Sequence, residues 1–389
     1  MADFEGTTTL SAPAIPGLTA AIRAAAAAAD DVDRQARFPI EAISAIKQAK
    51  LLSCGLPPEL GGRGYRVSEL AAIARALGAA CSAAGMVFAM HQTQALALAK
   101  YARYGPAAEL ARTISANESL VASATTENTT GGDIGTSTCA IVTDGGMVRL
   151  NKDAPVISYA EHADYIGATA RRNPDAAKND QVLLMCPAAD TALERTSTWD
   201  TMGFRGTCSP GYRLAAYTSV ANVVPADYAS ILATTMLPAS HTLWAAVWLG
   251  IADAAYAKAR TAVRQAARKA PDKTVPQASL LADLTVTHQR FESMVLHEVR
   301  RYQALAESGA EEATISFTVA MNNLKIAAST AVIDVVTEAL KIVGLNGYRD
   351  DHPLTMGRLL RDAFGPQLMV SNERIRLNNA NLVLAYRGV

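Results

Sequence analysis

Thr125-Thr-Glu-Asn-Thr-Thr-Gly-Gly-Asp-Ile-Gly135 puts hydroxyls, paired glycines and an acid on a loop leaving an apolar run, Leu120–Ala124. Such a loop suits a flat polar ligand. Glycines let backbone N–H groups approach closely, and Thr126 offers a hydroxyl that can donate to a ring nitrogen or carbonyl. The same residues also describe a bare turn between two strands.

Outward from that loop the chain changes character on both sides. Residues 16–118 are dominated by Ala, Leu, Ile, Arg and Lys, with Pro39, Pro57-Pro58 and Pro106 as punctuation, which predicts helices. From Leu120 to about Val224 come short runs such as Met147-Val148-Arg149-Leu150 and Val182-Leu183-Leu184-Met185, separated by turn signals such as Asp144-Gly145-Gly146. These predict a small antiparallel β-domain. Helical patterns return over 227–268, 277–309 and 312–343, with Pro271 and Pro276 at the first break. The order predicts an α+β protein with domains at 1–118, 119–226 and 227–389, not a βαβ sheet.

A chain of 389 residues exceeds the roughly 100–200 of one typical domain and has ample length for a core. Lys plus Arg equals Asp plus Glu, at 36 each, so no global field favours nucleic acid or an anionic membrane surface. Any phosphate-bearing ligand must be met by local charge. Five cysteines without CxxC or metal-type spacing argue against both a complete disulfide framework and a metal centre, and a reducing cytoplasm is expected. The start lacks the basic and apolar regions of a signal peptide, and no apolar stretch is long enough to predict a transmembrane helix.

Several further motifs stand in register with the loop. They are Gly55-Leu-Pro-Pro-Glu-Leu-Gly-Gly-Arg-Gly64, Lys152 to Ser158, Met202-Gly-Phe-Arg-Gly-Thr207, Gly344-Leu-Asn-Gly-Tyr348 and Leu359-Leu-Arg-Asp-Ala363. In that order and at those separations the chain resembles the acyl-CoA dehydrogenase superfamily of FAD enzymes, from about Phe38 to the C-terminus. The resemblance implies an N-terminal helical bundle, a middle antiparallel β-domain and a C-terminal helical bundle. It also implies a homodimer or homotetramer built through the second bundle.

By the same resemblance, Thr126, Gly131 and Gly132 fall where the family wraps the isoalloxazine ring and the start of the phosphate chain. Gly132 stands where the family usually has Ser. Ser158 falls at the hydroxyl that faces flavin N5, and its separation from Thr126 equals the family spacing; a strand-end hydroxyl capping the next turn is the plainer account. Val156 replaces an aromatic that often covers the ring. Lys341 and Gly344 belong to the segment that meets the adenosine half of FAD across the dimer, although Lys341 and Leu345 depart from the usual Gln and Gly. Arg268 or Arg264 corresponds to a further cross-subunit contact whose Phe-Gly is missing, and a solvated basic helix end explains both equally well. Asn372 is a further expected cofactor contact.

Dehydrogenation of an acyl thioester needs a base beside the α-carbon, commonly a carboxylate of tuned pKa. Ungapped alignment on Arg361-Asp362-Ala363 puts Val370 where the family keeps its Glu. The candidates that remain are Glu373, near the expected site, His241, where a second family solution places its Glu, and His91 on an apolar helix face. Each has a structural alternative: Glu373 paired with Arg374 or Arg376, and the histidines hydrogen-bonded in the core. Arg205 is expected near the substrate entrance, meeting a phosphate or closing a salt bridge.

Three functions follow. The first is FAD-dependent dehydrogenation of an acyl thioester on CoA or a carrier protein, with an electron acceptor as partner. The second is monooxygenation through a flavin C4a-peroxide, with a flavin reductase as partner; the missing Glu, Val156 and Ser158 are compatible with it. The third is a catalytically silent flavin-binding subunit.

Overall fold

The computed structural model describes residues 15–386 apart from Arg103, Gly132 and Asp272. The N-terminal helices are α1 (Leu18–Gln35), α2 (Ile40–Gln48), α3 (Val67–Ala80), α4 (Ser82–Tyr101) and α5 (Gly105–Ala116). The alanine run becomes part of α1, where Ala21, Ala25, Ala28 and Val32 are buried at helical spacing. Helix α4 is buried along most of its length, consistent with its near-absence of charge.

Seven strands follow in two sheets. They are β1 (Val121–Ala124), β2 (Val142–Asp144), β3 (Met147–Ala154), β4 (Tyr165–Arg171), β5 (Gln181–Pro187), β6 (Thr191–Arg195) and β7 (Tyr212–Ser219). One sheet has the order β2-β3-β7-β6 and is antiparallel throughout. The other has the order β1-β4-β5, and there β1 pairs with β4 in parallel. That parallel pair departs from the antiparallel expectation, as does the isolated parallel bridge between Ala140 and Arg171. The pair arises because β1 and β4 are joined by a long crossover, residues 125–164, which no hairpin can replace.

The C-terminal part begins with α6 (Tyr228–Ile231), a π-helical turn over Leu232–Met236, and α7 (Leu237–Lys269). Sequence periodicity predicts one helix here, and the π turn adds a register shift that periodicity does not reveal. Then come α8 (Gln277–Ser308), α9 (Ile315–Val343), α10 (Leu345–Tyr348), α11 (Gly357–Leu368) and α12 (Asn372–Ala385). Helix α7 packs against α3, α4, α8 and α9, so the two helical parts share one core. A Cβ on Gly250 would lie 2.1 Å from the Arg75 carbonyl oxygen, so α3 and α7 touch backbone to backbone. No described helix is long and apolar enough to cross a membrane.

The three parts meet at Arg361-Asp362. Arg361 Nη1 donates to Asp33 of α1 at 3.0 Å and to the Met202 carbonyl at 3.1 Å. The buried Asp362 carboxylate accepts from Ser82 of α4 and, at 2.6 Å, from the Phe204 backbone N–H. Phe204 has φ 49°, and the chain before it runs so close to α11 that a Cβ on Gly203 would meet the Arg361 carbonyl oxygen at 2.3 Å.

Asp362→Ala should therefore strand the Phe204 N–H and the Ser82 hydroxyl. Two hydrogen bonds to a charged group are lost and the donors stay buried, so a cost of about 3 kcal/mol is expected. Urea denaturation of the two proteins measures it, and a difference below about 0.5 kcal/mol, the usual range for surface substitutions, would refute this role.

Candidate functional site

A cavity of about 1080 Å3 opens where the β-domain faces α4, α7, α11 and α12. The Thr125–Gly135 loop forms one wall, contributing Thr126 and Asp133, and Val156 and Ser158 lie beside it. Two of the three tryptophans, Trp199 and Trp244, also line it.

A buried ion pair shapes the loop. Lys152 Nζ, on β3, lies 2.9 Å from Glu127 Oε1 and donates to the Thr169 carbonyl at 2.8 Å. The other Glu127 oxygen accepts from the backbone N–H groups of Thr138 at 2.9 Å and Cys139 at 3.2 Å. Burial by itself would raise the Glu127 carboxyl; the Thr138 hydrogen bond and the Lys152 charge outweigh it and hold it at about 2. The loop is thus tied down between Thr126 and Asn128, the Thr129 and Thr130 hydroxyls bond to Thr138 and to the Glu127 carbonyl, and Thr126 lines the cavity. Helix α12 latches the other end, because Arg374 donates to the Gly131 carbonyl.

Ser158 sits in a row of hydroxyls. Ser209 Oγ donates to Ser158 Oγ at 2.9 Å and is itself 2.8 Å from Thr207 Oγ1. Accepting from Ser209 leaves the Ser158 proton available to a ligand. Ser209, Trp199 and Trp244 were not singled out by the sequence; rarity of tryptophan was the available signal.

A second buried lysine fixes the opposite wall. Lys325 of α9 donates to the Val370 carbonyl and to Asn372 Oδ1, both at 2.7 Å. Burial brings its ammonium down to about 7. Val370, held at φ 46°, lines the cavity, whereas Asn372 is buried against Lys325 and Ser329 and does not.

The candidate bases separate clearly. Glu373 is exposed, is paired with Arg376 and lies off the cavity wall. His91 is also off the wall: Nε2 donates to the Leu52 carbonyl at 2.9 Å and Nδ1 accepts from the Val121 N–H at 3.0 Å, so it anchors β1. His241 does line the cavity, with Nδ1 donating to the Met321 carbonyl at 3.1 Å. Burial first, and the Lys325 charge second, lower it to about 3, so the imidazole is neutral. Among the described lining residues the carboxylate is Asp133, whose two oxygens accept from Gly135 N at 2.9 Å and Thr136 Oγ1 at 3.0 Å.

Thr126 and Ser158 are therefore brought together on one cavity, with Gly131 at its latch. Arg268, Lys341 and Gly344 are exposed on the ends of α7 and α9, away from it. Gly132 lies outside the described residues. Arg205 donates to the Asp33 and Thr201 carbonyls at 2.9 and 2.7 Å and pairs with Asp200, closing a structural junction.

Two family models match in the order of the fold. That of the acyl-CoA dehydrogenase N-terminal domain matches residues 19–115, and that of the C-terminal domain matches residues 233–370, together more than half of the chain. The chain belongs to the acyl-CoA dehydrogenase family. Within this family of flavin enzymes it is 22% identical over 342 residues to a short-chain-specific acyl-CoA dehydrogenase of Clostridium acetobutylicum, covering 86% of this chain and 87% of that one. It is 26% identical over 349 residues to the amino sugar nitrososynthase DnmZ of Streptomyces peucetius, covering 85% and 82%. Among solved structures, FMN-bound TdsC of Paenibacillus sp. A11-2 shares the acyl-CoA dehydrogenase-like fold with a TM-score of 0.82 at 17% identity, over 96% of this chain and 98% of that one.

The Glu127 carboxyl gives a pH-dependent prediction. Its folded value, about 2, lies below its ordinary 4.5, so the pair contributes stability that is present above about pH 4.5 and lost as the pH falls toward 2. The stability gap between the wild type and Glu127→Gln should shrink across that window in denaturation curves. Parallel profiles would exclude the pair as its source. Lys152→Met, which leaves the carboxylate buried alone, should cost about 3–5 kcal/mol at neutral pH.

Proposed function

We propose that the protein is a flavin-dependent monooxygenase that uses oxygen and a separately supplied reductant to oxygenate a small, largely apolar molecule. One observation carries the reading: among the described residues the only carboxylate lining the cavity is Asp133, which already accepts hydrogen bonds within its own turn. Val370 occupies the family's base position, Glu373 faces solvent, and both oxygens of Asp133 are engaged in its own turn. Two relatives support it by name, DnmZ as a nitrososynthase and TdsC as a dibenzothiophene monooxygenase, whereas the Clostridium acetobutylicum relative is named a dehydrogenase.

The residues fit a flavin ring. Thr126 and Ser158 present hydroxyls with donor capacity to one cavity, and a Cβ on Gly131 would meet nothing within 4 Å, leaving open space beside the loop. Reduced flavin, when bound, supplies the two electrons that activate oxygen. Ser158 would hold a proton at the ring edge, with Ser209 and Thr207 behind it. The apolar side chains Met90, Met236 and Phe364 exclude water from the space where the substrate lies.

The flavin in the resemblance is FAD, whose adenosine half would reach Lys341, Gly344 and Arg268 of a second copy. FMN, which TdsC binds, needs no such reach. Titration of the apo-protein with each flavin separates the two.

Dehydrogenation of an acyl thioester is the second reading. A specific feature favours it: His241 places a neutral imidazole on the wall, able to accept a proton. Against it, the residue expected to meet a thioester phosphate, Arg205, is engaged by the Asp33 and Thr201 carbonyls and by Asp200.

Reductant and oxygen decide between the readings. With NADH and a flavin reductase, oxygen-dependent product from an apolar substrate panel is expected, and anaerobic acyl thioesters should leave the oxidised flavin spectrum unchanged. Bleaching by a thioester without reductase would overturn the assignment.

The C-terminal part also leaves Leu345, Tyr348 and Leu384 exposed, which supports self-association through this region. Light scattering should give at least a dimer. A monomer with full FAD occupancy would contradict the shared site.

A further inference from the structure

Helix α7 turns one face to the cavity: Leu237, Ser240, His241 and Trp244, spaced i, i+3, i+4, i+7. Asn378 and Asn381 of α12 line the same cavity three residues apart. Helix α9 adds Asn322, only 2% exposed.

A row of amides runs along this region. Asn322 Nδ2 donates to Asn379 Oδ1 at 2.8 Å, and Asn379 Nδ2 donates onward to Asn323 Oδ1 at 3.0 Å. Asn322 uses one of its two amide hydrogens there, and its Oδ1 accepts from no described residue. His241 is in the same position. A carbonyl only accepts, so Nδ1 carries the proton given to Met321, and Nε2 is a bare acceptor in a side chain 3% exposed. Met321 and Asn322 are consecutive, which brings the two acceptors to one stretch of wall.

The nearby cation is already committed. Lys325 Nζ donates to the Val370 carbonyl and Asn372 Oδ1. This stretch therefore presents two neutral acceptors beside one neutral donor, the buried Trp244 Nε1, which has no partner among the described residues. An anionic group would gain nothing from the acceptors.

We propose that His241 Nε2 and Asn322 Oδ1 form a two-acceptor subsite that takes a neutral hydrogen-bond donor of the substrate, a hydroxyl or amino group on an apolar body. A ligand lacking the donor leaves both acceptors buried and unpaired, which is the strongest form of rejection a polar site offers. The subsite sets which molecules enter and how they lie along α7; its assignment rests on the reading that this cavity takes a small molecule beside the flavin.

The test compares para-butylphenol with its methyl ether, para-butylanisole, and para-butylaniline with its N,N-dimethyl derivative, by equilibrium dialysis against the wild-type protein. Each donor-bearing member should bind at least about tenfold more tightly than its capped partner. In Asn322→Leu and His241→Phe, each shown by thermal melting to be folded, the preference should fall toward unity. Equal binding of the paired compounds to the wild type, within about twofold, overturns the subsite without using a variant. A preference that survives in both variants overturns it as well. Flavin titration and oxygen uptake run separately. Normal values there with no donor preference sink the subsite alone, whereas donor preference in a protein that binds no flavin sinks the monooxygenase reading alone.

Discussion

Burying the Asp362 carboxylate without a cation directly on it is costly unless hydrogen bonds replace its water. Here the replacements come from two other parts of the chain, Ser82 at the start of α4 and the Phe204 N–H of the β-domain. Burial raises the Asp362 pKa, and these donors act against that rise. Since neither donor has another place to go, the three parts must dock in one arrangement. Arg361 on the same turn closes the set through Asp33. The cavity exists because of this docking: its walls come from all three parts, and no single part could enclose it.

Two buried lysines do for the walls what Asp362 does for the whole. Lys152 is 2% exposed and Lys325 0%, and each spends its protons on a backbone carbonyl and a side-chain oxygen. One fixes the loop carrying Thr126, the other the turn carrying Val370. Their partners differ in charge, however. Glu127 neutralises Lys152, whereas Lys325 meets only neutral oxygens, and burial accordingly moves its titration toward neutrality. A rigid loop thus stands opposite a wall braced by neutral contacts.

Much of this frame was legible in the sequence. The α, β, α order followed from periodicity, and the motifs around Gly203 and Arg361 were visible, although their mutual contact was not. Glycine at 203 looked like loop chemistry; in the structure it is required because Arg361 passes where a Cβ would sit. The histidines show the limit more sharply. His91 and His241 both lie on apolar helix faces, and sequence gives no means to tell that one is hydrogen-bonded on both nitrogens and the other on one. Glu373 was attractive by position along the chain, but the positive-φ turn at Val370 sets α12 so that Arg374 and Ile375 face the cavity and Glu373 does not. The parallel β1–β4 pair was hidden for a similar reason, since pairing across a long crossover leaves no local mark.

The π turn at Leu232–Met236 carries a consequence for how this cavity can vary. An extra residue in a helix rotates everything on one side of it by about 100° relative to the other. Tyr228 reaches the cavity before that step, Leu232 and Met236 within it, and Ser240 and His241 beyond it. Loss of a single residue within the turn would swing Tyr228 away and bring a neighbour to face the ligand, with α7 itself unmoved. The far end of the cavity can thus be refaced by a change in length, leaving Ser158 and His241 in place.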